Sequence, residues 1–536
     1  MGYAQENKYW IFFKDKPNVN FDPYQYFDAK AIERRLQQNI PLSDYSDWPV
    51  SEAYIAQISC NADSVGKKTR WFNALIAYAK PEQIEQIKEL SFVDHVEPAN
   101  SYSALITAYK NATKDSFKLD LNNEEKDLLN RQTTRMGAVH FKEKNIDGTG
   151  IRIAIFDVGF PSVDTHPAFE HLRKNGKIIK TYDFIKENEN VYHSASHGTE
   201  VLSCIAGKID DKNIGLATGS EFLLARTEKM AVEVFSEEEN WLAAAEWSDK
   251  NGADIINSSL GYTNKRYFTN QMNGHETLVT RAANMAASKG ILVVNAAGNE
   301  GDSKWHIIAA PADADSVLSV GGIDPYNDYH VSFSSFGPTA DKRMKPNVCA
   351  LGIVIAASPN GLTQTQGTSF SSPLTAGFAA CAWQTKRNLS NMELFKEIEK
   401  SCNLYPYFDY AHGYGIPQAN YFTNTSLQDP EPTFKFEKDG NILTVVLTDE
   451  KTKDNPYHSN SYTGQYFFNE QSDFDVKQSA DSYHMYYHIE GKDGILKSYY
   501  IINVEKSEVL SFSLGEFEKG EKLMVHYKKY TATYSF

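Results

Sequence analysis

Residues Ile151-Arg152-Ile153-Ala154-Ile155-Phe156, running into Asp157-Val158-Gly159, form a short, β-branched, apolar stretch. Such a run reads as a strand buried on both faces, with its carboxyl end at Asp157. In an α/β sheet that end is where functional side chains collect, so Asp157 is the first candidate. Downstream, Ser196-His197-Gly198-Thr199-Glu200-Val201 precedes Leu202, Cys204, Ile205 and Ala206 at helical spacing, which sets His197 at a helix start. A third block, Gly367-Thr368-Ser369-Phe370-Ser371-Ser372-Pro373, opens another helix. Pro373 is expected in its first turn, and Leu374, Phe378, Ala379 and Trp383 continue an apolar stripe.

A serine at a helix start lies near unpaired N–H groups and the positive end of the helix dipole, which can hold a developing oxyanion. Alone, a Gly-Thr-Ser opening a helix is more often a cap than a nucleophile. Here Asp, His and Ser follow in chain order, each at the edge of an expected element. That arrangement suits an orienting carboxylate, a base and a nucleophile.

With these blocks the chain resembles the subtilisin-like serine proteases, whose signatures are Asp-(Ser/Thr)-Gly, His-Gly-Thr and Gly-Thr-Ser-x-(Ala/Ser)-x-Pro. Ile255-Ile256-Asn257-Ser258-Ser259-Leu260-Gly261 resembles the family strand that pairs with bound substrate. Leu292 to Gly301 resembles the strand and oxyanion loop, with Asn299 where the donating asparagine belongs. The resemblance covers roughly residues 132 to 423 and implies a mostly parallel sheet with helices on both faces. It also implies an acyl-enzyme mechanism in which Ser369 attacks, His197 moves the proton, Asp157 orients His197, and Asn299 with the Ser369 N–H binds the oxyanion. Ser259, Leu260 and Gly261 would form one wall of the substrate pocket and Ala296, Ala297 and Gly298 the other. Ala309 would lie near its floor, and a large apolar side chain is expected before the scissile bond. Val158 departs from the family Ser/Thr, so backbone donors are expected to hold Asp157; Phe370 replaces the common methionine.

Two alternatives come from different classes. One is a catalytically silent relative used as a protein-binding module. The other is a metal-dependent hydrolase using His193 and His197, four residues apart with Glu200 beyond. It is disfavoured because His193 is expected in the loop before the helix and the glutamate of the zincin pattern is missing. No resident cofactor is expected. Asp210, Asp211 and Asn213 could ligate calcium, but the favoured reading is a solvated turn.

Length and composition agree with a multidomain enzyme. The 536 residues suggest about three domains. A net charge of −15 argues against a nucleic-acid partner, and no stretch approaches a membrane span. Five cysteines without CxxC spacing do not suggest a disulfide framework. Met1-Gly2-Tyr3-Ala4-Gln5 lacks signal-peptide features. The reading is nevertheless a secreted or periplasmic protein whose native signal is not in this sequence, because of what comes next.

Residues 1–100 suggest a small α+β domain. Lys8 to Lys14 is an expected strand, Ala31 to Gln38 a helix, and Tyr54–Ile58 and Phe72–Tyr78 strand-rich segments. Pro81 opens a helix, and Phe92 to Pro98 closes as a strand. This order resembles the subtilase propeptide, which implies an intramolecular inhibitor beside protein or peptide substrates as partners. Residues 101–131 would then be a linker through the cleft, with Tyr102 and Leu105 as candidate self-cleavage residues. The catalytic domain is expected over 132–426. A 427–536 antiparallel β-sandwich is expected from alternation in Thr433 to Phe436, Leu443 to Leu447 and Val509 to Leu514, and from the turns Asp439-Gly440-Asn441 and Lys492-Asp493-Gly494.

Overall fold

The structure is a computed structural model that describes residues 7–99, 104–105, 119–229, 232–233, 236–263, 266–424, 430–448, 484–504 and 510–536. At its centre is a seven-stranded sheet in the order Val348–Leu351, Val317–Ile323, Leu292–Ala296, Ile255–Ser258, Arg152–Asp157, Glu221–Arg226, Ile178–Asp183. Every neighbouring pair is parallel. The strand order reverses beside Arg152–Asp157, which places Asp157 at the crevice where such sheets bind ligands.

Alternation along the Arg152–Asp157 strand explains the two helical layers. Ile153 and Ile155 pack in one core with residues of the helices His197–Ala206 and Thr368–Thr385. Ala154 and Phe156 point to the other face and join residues of Ser236–Lys250 and Leu278–Ser288. Pro373 lies further into its helix than the sequence suggests, because that helix begins at Thr368. Its missing N–H leaves the Ser369 carbonyl without its usual donor four residues on. The Ser259 hydroxyl donates to that carbonyl instead, at 2.8 Å.

The N-terminal region folds as a four-stranded sheet, ordered Ser64–Thr69, Ala74–Tyr78, Lys8–Phe13, Val93–Pro98, all antiparallel. Ile11 and Phe13 enter its own core, while Trp10 and Phe12 join a core with Trp241, Leu242 and Ala282 of the helices Ser236–Lys250 and Leu278–Ser288. The helix near Ala31 runs Ala29–Gln37, and Pro81–Lys88 forms as expected. Tyr54–Ile58 is a correction: it belongs to the helix Glu52–Asn61, with Ser51 as its cap. Tyr54 and Ile58, four apart, both turn inward; Tyr54 stacks on Phe92 at 4.1 Å and Ile58 is fully buried.

At the other end, two antiparallel sheets stack. One is ordered Phe434–Asp439, Ile442–Leu447, Leu510–Ser513, the other Leu496–Asn503, His484–Glu490, Lys522–Tyr527, Tyr530–Ser535. Phe434, Leu443 and Val445 from the first share a core with Met485, Leu523 and Val525 from the second. Val509 lies outside the described residues, as does Tyr102. All five cysteines are free. Among the described residues no helix is long and apolar enough to cross a membrane.

Candidate active site

Asp157, the last residue of its strand, is fully buried. Its Oδ1 accepts the Val158 N–H at 2.8 Å, a backbone donor where the family has a hydroxyl. His197 opens its helix and presents Nδ1 at 2.8 Å from Asp157 Oδ1 and 3.0 Å from Oδ2. Gly198 makes this approach possible: a Cβ there would lie 2.3 Å from the Gly159 carbonyl oxygen and 3.0 Å from Asp157 Cβ. Burial alone would push the His197 pKa down. The Asp157 charge and hydrogen bond, helped by Glu200, outweigh burial and hold it above the ordinary 6.5. One turn along, burial raises the Glu200 carboxyl, which accepts from Ser196 Oγ at 2.7 Å.

Ser369 is the second residue of its helix and nearly buried. Its hydroxyl donates to the Ser259 carbonyl at 3.2 Å, while the His197 ring packs against Phe370 with centroids 5.6 Å apart. Asn299 is tied to the same helix start: its Oδ1 accepts the Thr368 N–H at 2.9 Å and the Thr368 hydroxyl at 3.0 Å. Holding the oxygen this way leaves the amide nitrogen as the group able to donate. Ser372 Oγ donates to Asn257 Oδ1 at 2.9 Å, and Asn257 Nδ2 donates to Ser259 Oγ at 3.2 Å, so the Thr368–Thr385 helix and the Ile255–Ser258 strand are stitched together.

The two expected pocket walls lie at the ends of neighbouring parallel strands, Ser259, Leu260 and Gly261 after one and Ala296, Ala297 and Gly298 at the end of the next. Asn295 Nδ2 ties them by donating to the Leu260 carbonyl at 3.0 Å. Ala309 stands between them. Its N–H donates to Ala297 at 2.9 Å, and a methyl added at Gly261 or Gly298 would lie 3.0 or 3.4 Å from its Cβ. Trp305 is buried and donates to the Ile308 carbonyl at 3.3 Å. Val232–Glu233 pairs antiparallel with Ala104–Leu105.

Arg226 was not a candidate from sequence, yet it supports the site. It ends the strand beside Arg152–Asp157, in register with Asp157. Its Nε donates to the Val158 carbonyl at 2.9 Å and its Nη1 to Asp183 at 2.8 Å. The signal was an arginine closing an otherwise apolar run.

His193 does not join His197. It lies in the preceding loop, with Nε2 3.0 Å from the Asn190 carbonyl and 3.3 Å from Asp183 Oδ2. Asp210 and Asp211 form an exposed turn between Lys208–Ile209 and Lys212–Asn213. Among the described residues no group of three His, Cys, Asp or Glu is arranged to hold a metal ion.

Comparison with known proteins agrees with this geometry. Residues 8–116 match the peptidase S8 propeptide domain of Bacteroidota. The thermophilic serine proteinase of Bacillus sp. (strain AK1) is 32% identical over 261 residues, 48% of this chain and 57% of that protein. Serine protease AprX of Bacillus subtilis (strain 168) is 29% identical over 325 residues, 53% of this chain and 68% of the relative. Subtilisin DY of Bacillus licheniformis is 29% identical over 291 residues, 53% of this chain and 96% of the relative. The chain thus spans little more than half the length of the first of these. Fervidolysin from Fervidobacterium pennivorans, 18% identical, shares the fold with a TM-score of 0.55 over 98% of this chain and 71% of that one. Residues 148–415, half of the chain, match the subtilase family and include Asp157, His197, Asn299 and Ser369: the chain belongs to the subtilase family.

Proposed function

We propose that the chain is a serine endopeptidase made as a self-inhibited zymogen. The observation that carries this reading is the Asp157–His197 pair at 2.8 Å, set at the same strand ends as a helix-start serine and Asn299. As a peptide enters, the Ser369 hydroxyl turns from the Ser259 carbonyl to His197, which takes its proton as Oγ attacks the scissile carbonyl. The imidazolium is stabilised by Asp157. The oxyanion is met by Asn299 Nδ2 and the Ser369 N–H. His197 then protonates the leaving amine, and water resolves the acyl-enzyme by the reverse sequence.

Replacing Asn299 by alanine tests the reading at one atom pair. The expected loss is about 100 to 1,000-fold in kcat with KM nearly constant, a scale known from subtilisin of the same family. Equal losses in binding and turnover would contradict an oxyanion role.

In this reading the small, uncharged walls, with the Ala309 methyl at the floor, favour large apolar side chains before the scissile bond. In a series of peptides differing only there, Ala309→Gly is expected to shift kcat/KM towards phenylalanine over alanine by about tenfold. An unchanged preference would remove Ala309 from the floor.

The N-terminal sheet, docked on Ser236–Lys250 and Leu278–Ser288, acts as the inhibitor in this reading, and Ala104–Leu105 of its linker pairs with Val232–Glu233 as a substrate strand would. Secretion or a periplasmic location follows from the same logic, since a latent protease can cross the cell interior without cutting it. Fractionation finding the active form only in cytosol would refute that.

A further inference from the structure

Between the first N-terminal strand and the helix Glu52–Asn61, residues 14–50 reach past their own sheet onto the catalytic domain. The helix Ala29–Gln37, capped by Asp28, carries Arg34 and Arg35, which are 1% and 0% exposed. Arg34 donates Nε to the Lys289 carbonyl at 3.1 Å and its terminal nitrogens to the Ala253 carbonyl and the Asp249 carboxylate. Arg35 donates to the second Asp249 oxygen at 2.8 Å and, through both terminal nitrogens, to Asp47 at 2.8 and 2.9 Å. Lys289 Nζ closes the cluster on Asp44 at 2.7 Å and Asp47 at 3.1 Å. Gln38 adds an amide pair, donating to the Gly290 carbonyl at 2.8 Å and accepting the Asn391 N–H at 3.0 Å.

The chemistry of this socket is specific. Lys289 caps the carboxyl end of Leu278–Ser288 and Ala253 follows three residues after Ser236–Lys250; both present main-chain carbonyl oxygens, which are strong acceptors with partial negative charge, to Arg34. Two such carbonyls and a carboxylate match the planar fork of a guanidinium, which a lysine ammonium cannot reproduce. Its place in the fold is equally informative. Ala253 and Lys289 lead into Ile255–Ser258 and Leu292–Ala296, whose far ends carry Ser259 and Gly298. The socket is therefore at the opposite pole of the sheet from Ser369, roughly 20 Å away at the rise of a strand.

We propose that this guanidinium socket is a second, non-catalytic docking site through which the arm from Asp28 to Trp48 retains the N-terminal domain after the linker is cut. The inference rests on the zymogen reading above. Cutting between residues 100 and 131 removes the covalent tie but none of the groups that hold Arg34 and Arg35. The cleaved domain stays seated, and activity appears when the arm lets go rather than when the first bond breaks.

Two clocks on the 536-residue chain test this: sequencing of the new N-terminus times the first cut, and hydrolysis of a small peptide times release. Wild type is expected to cut first and gain activity after a lag. The double variant Arg34→Lys/Arg35→Lys should shorten the lag by roughly 100-fold, because buried carboxylate and carbonyls lose their matched partner. The rate of the first cut and the final kcat should not change. Asp249→Asn attacks the same socket from the catalytic side. Should the variants not fold, wild type in millimolar methylguanidinium, against sodium chloride of equal ionic strength, should show the shorter lag by blocking reseating. A lag that ignores all of these, or activity rising in step with the first cut in wild type, overturns the clamp while leaving the zymogen reading intact. A wild-type protein that neither cuts itself nor hydrolyses peptide overturns both.

Discussion

Replacing Ser369 by alanine is expected to lower kcat for peptide hydrolysis by about a million-fold while KM stays within a few-fold, the scale seen for nucleophile loss in subtilisin of the same family. The substitution removes one oxygen whose hydrogen bond is to the Ser259 carbonyl at 3.2 Å. That bond contributes about 1 kcal/mol at most, so the fold should persist. What is lost is the bond-forming atom: His197, Asn299 and the pocket remain, and the residual rate is what binding and the oxyanion donors supply alone. Incubated by itself, the variant should keep its N-terminal domain covalently attached when wild type has clipped. Identical clipping of both proteins would mean that a contaminating protease does the cutting.

Asp157→Asn is the next largest expected effect, about 10,000-fold in kcat. The amide oxygen can still accept the Val158 N–H, so the turn survives. The other half of the amide, however, is an NH2 group that presents a donor to His197 Nδ1, favouring the wrong tautomer and leaving the imidazolium without its counter-charge. The pH profile separates this from mere misfolding. In wild type, burial lowers the His197 pKa but Asp157 outweighs it, so the net value lies above 6.5. A general base must be unprotonated, so wild-type kcat/KM should fall as pH drops through a value above 6.5. With the carboxylate gone, burial is opposed only by Glu200 and the acid limb should move to lower pH. A large activity loss with the limb unmoved would assign Asp157 to structure rather than to the proton path.

The parts of the molecule that were legible in the sequence are those fixed by local pattern. Period-two alternation in Ile153 to Phe156 encodes the two helical layers that cover the sheet. His197 and Ser369 stand at helix starts, each ahead of an apolar run at helical spacing. What the sequence hides is longer in range. Tyr54–Ile58 has the composition of a strand, and only the packing of Tyr54 on Phe92 and the burial of Ile58 beneath the N-terminal sheet select a helix. Pro373 looked like a first-turn residue, because no local signal announces that Ser259, 110 residues upstream, will serve the Ser369 carbonyl. Arg34 and Arg35 resemble solvated helix residues until Asp249, more than 200 positions away, is placed against them. Arg226 likewise gains its role only when the parallel register sets it beside Asp157.

A subtilase-type serine endopeptidase requires Ser369 to be an activated nucleophile that needs no metal. Labelling the matured protein with a fluorophosphonate, with and without a chelator, and mapping the modified peptide tests that most directly. The expected result is one label per chain, on Ser369, at the same level in both samples. A processed, folded protein that takes no label, or one whose labelling moves to another residue or disappears with the chelator, would contradict it.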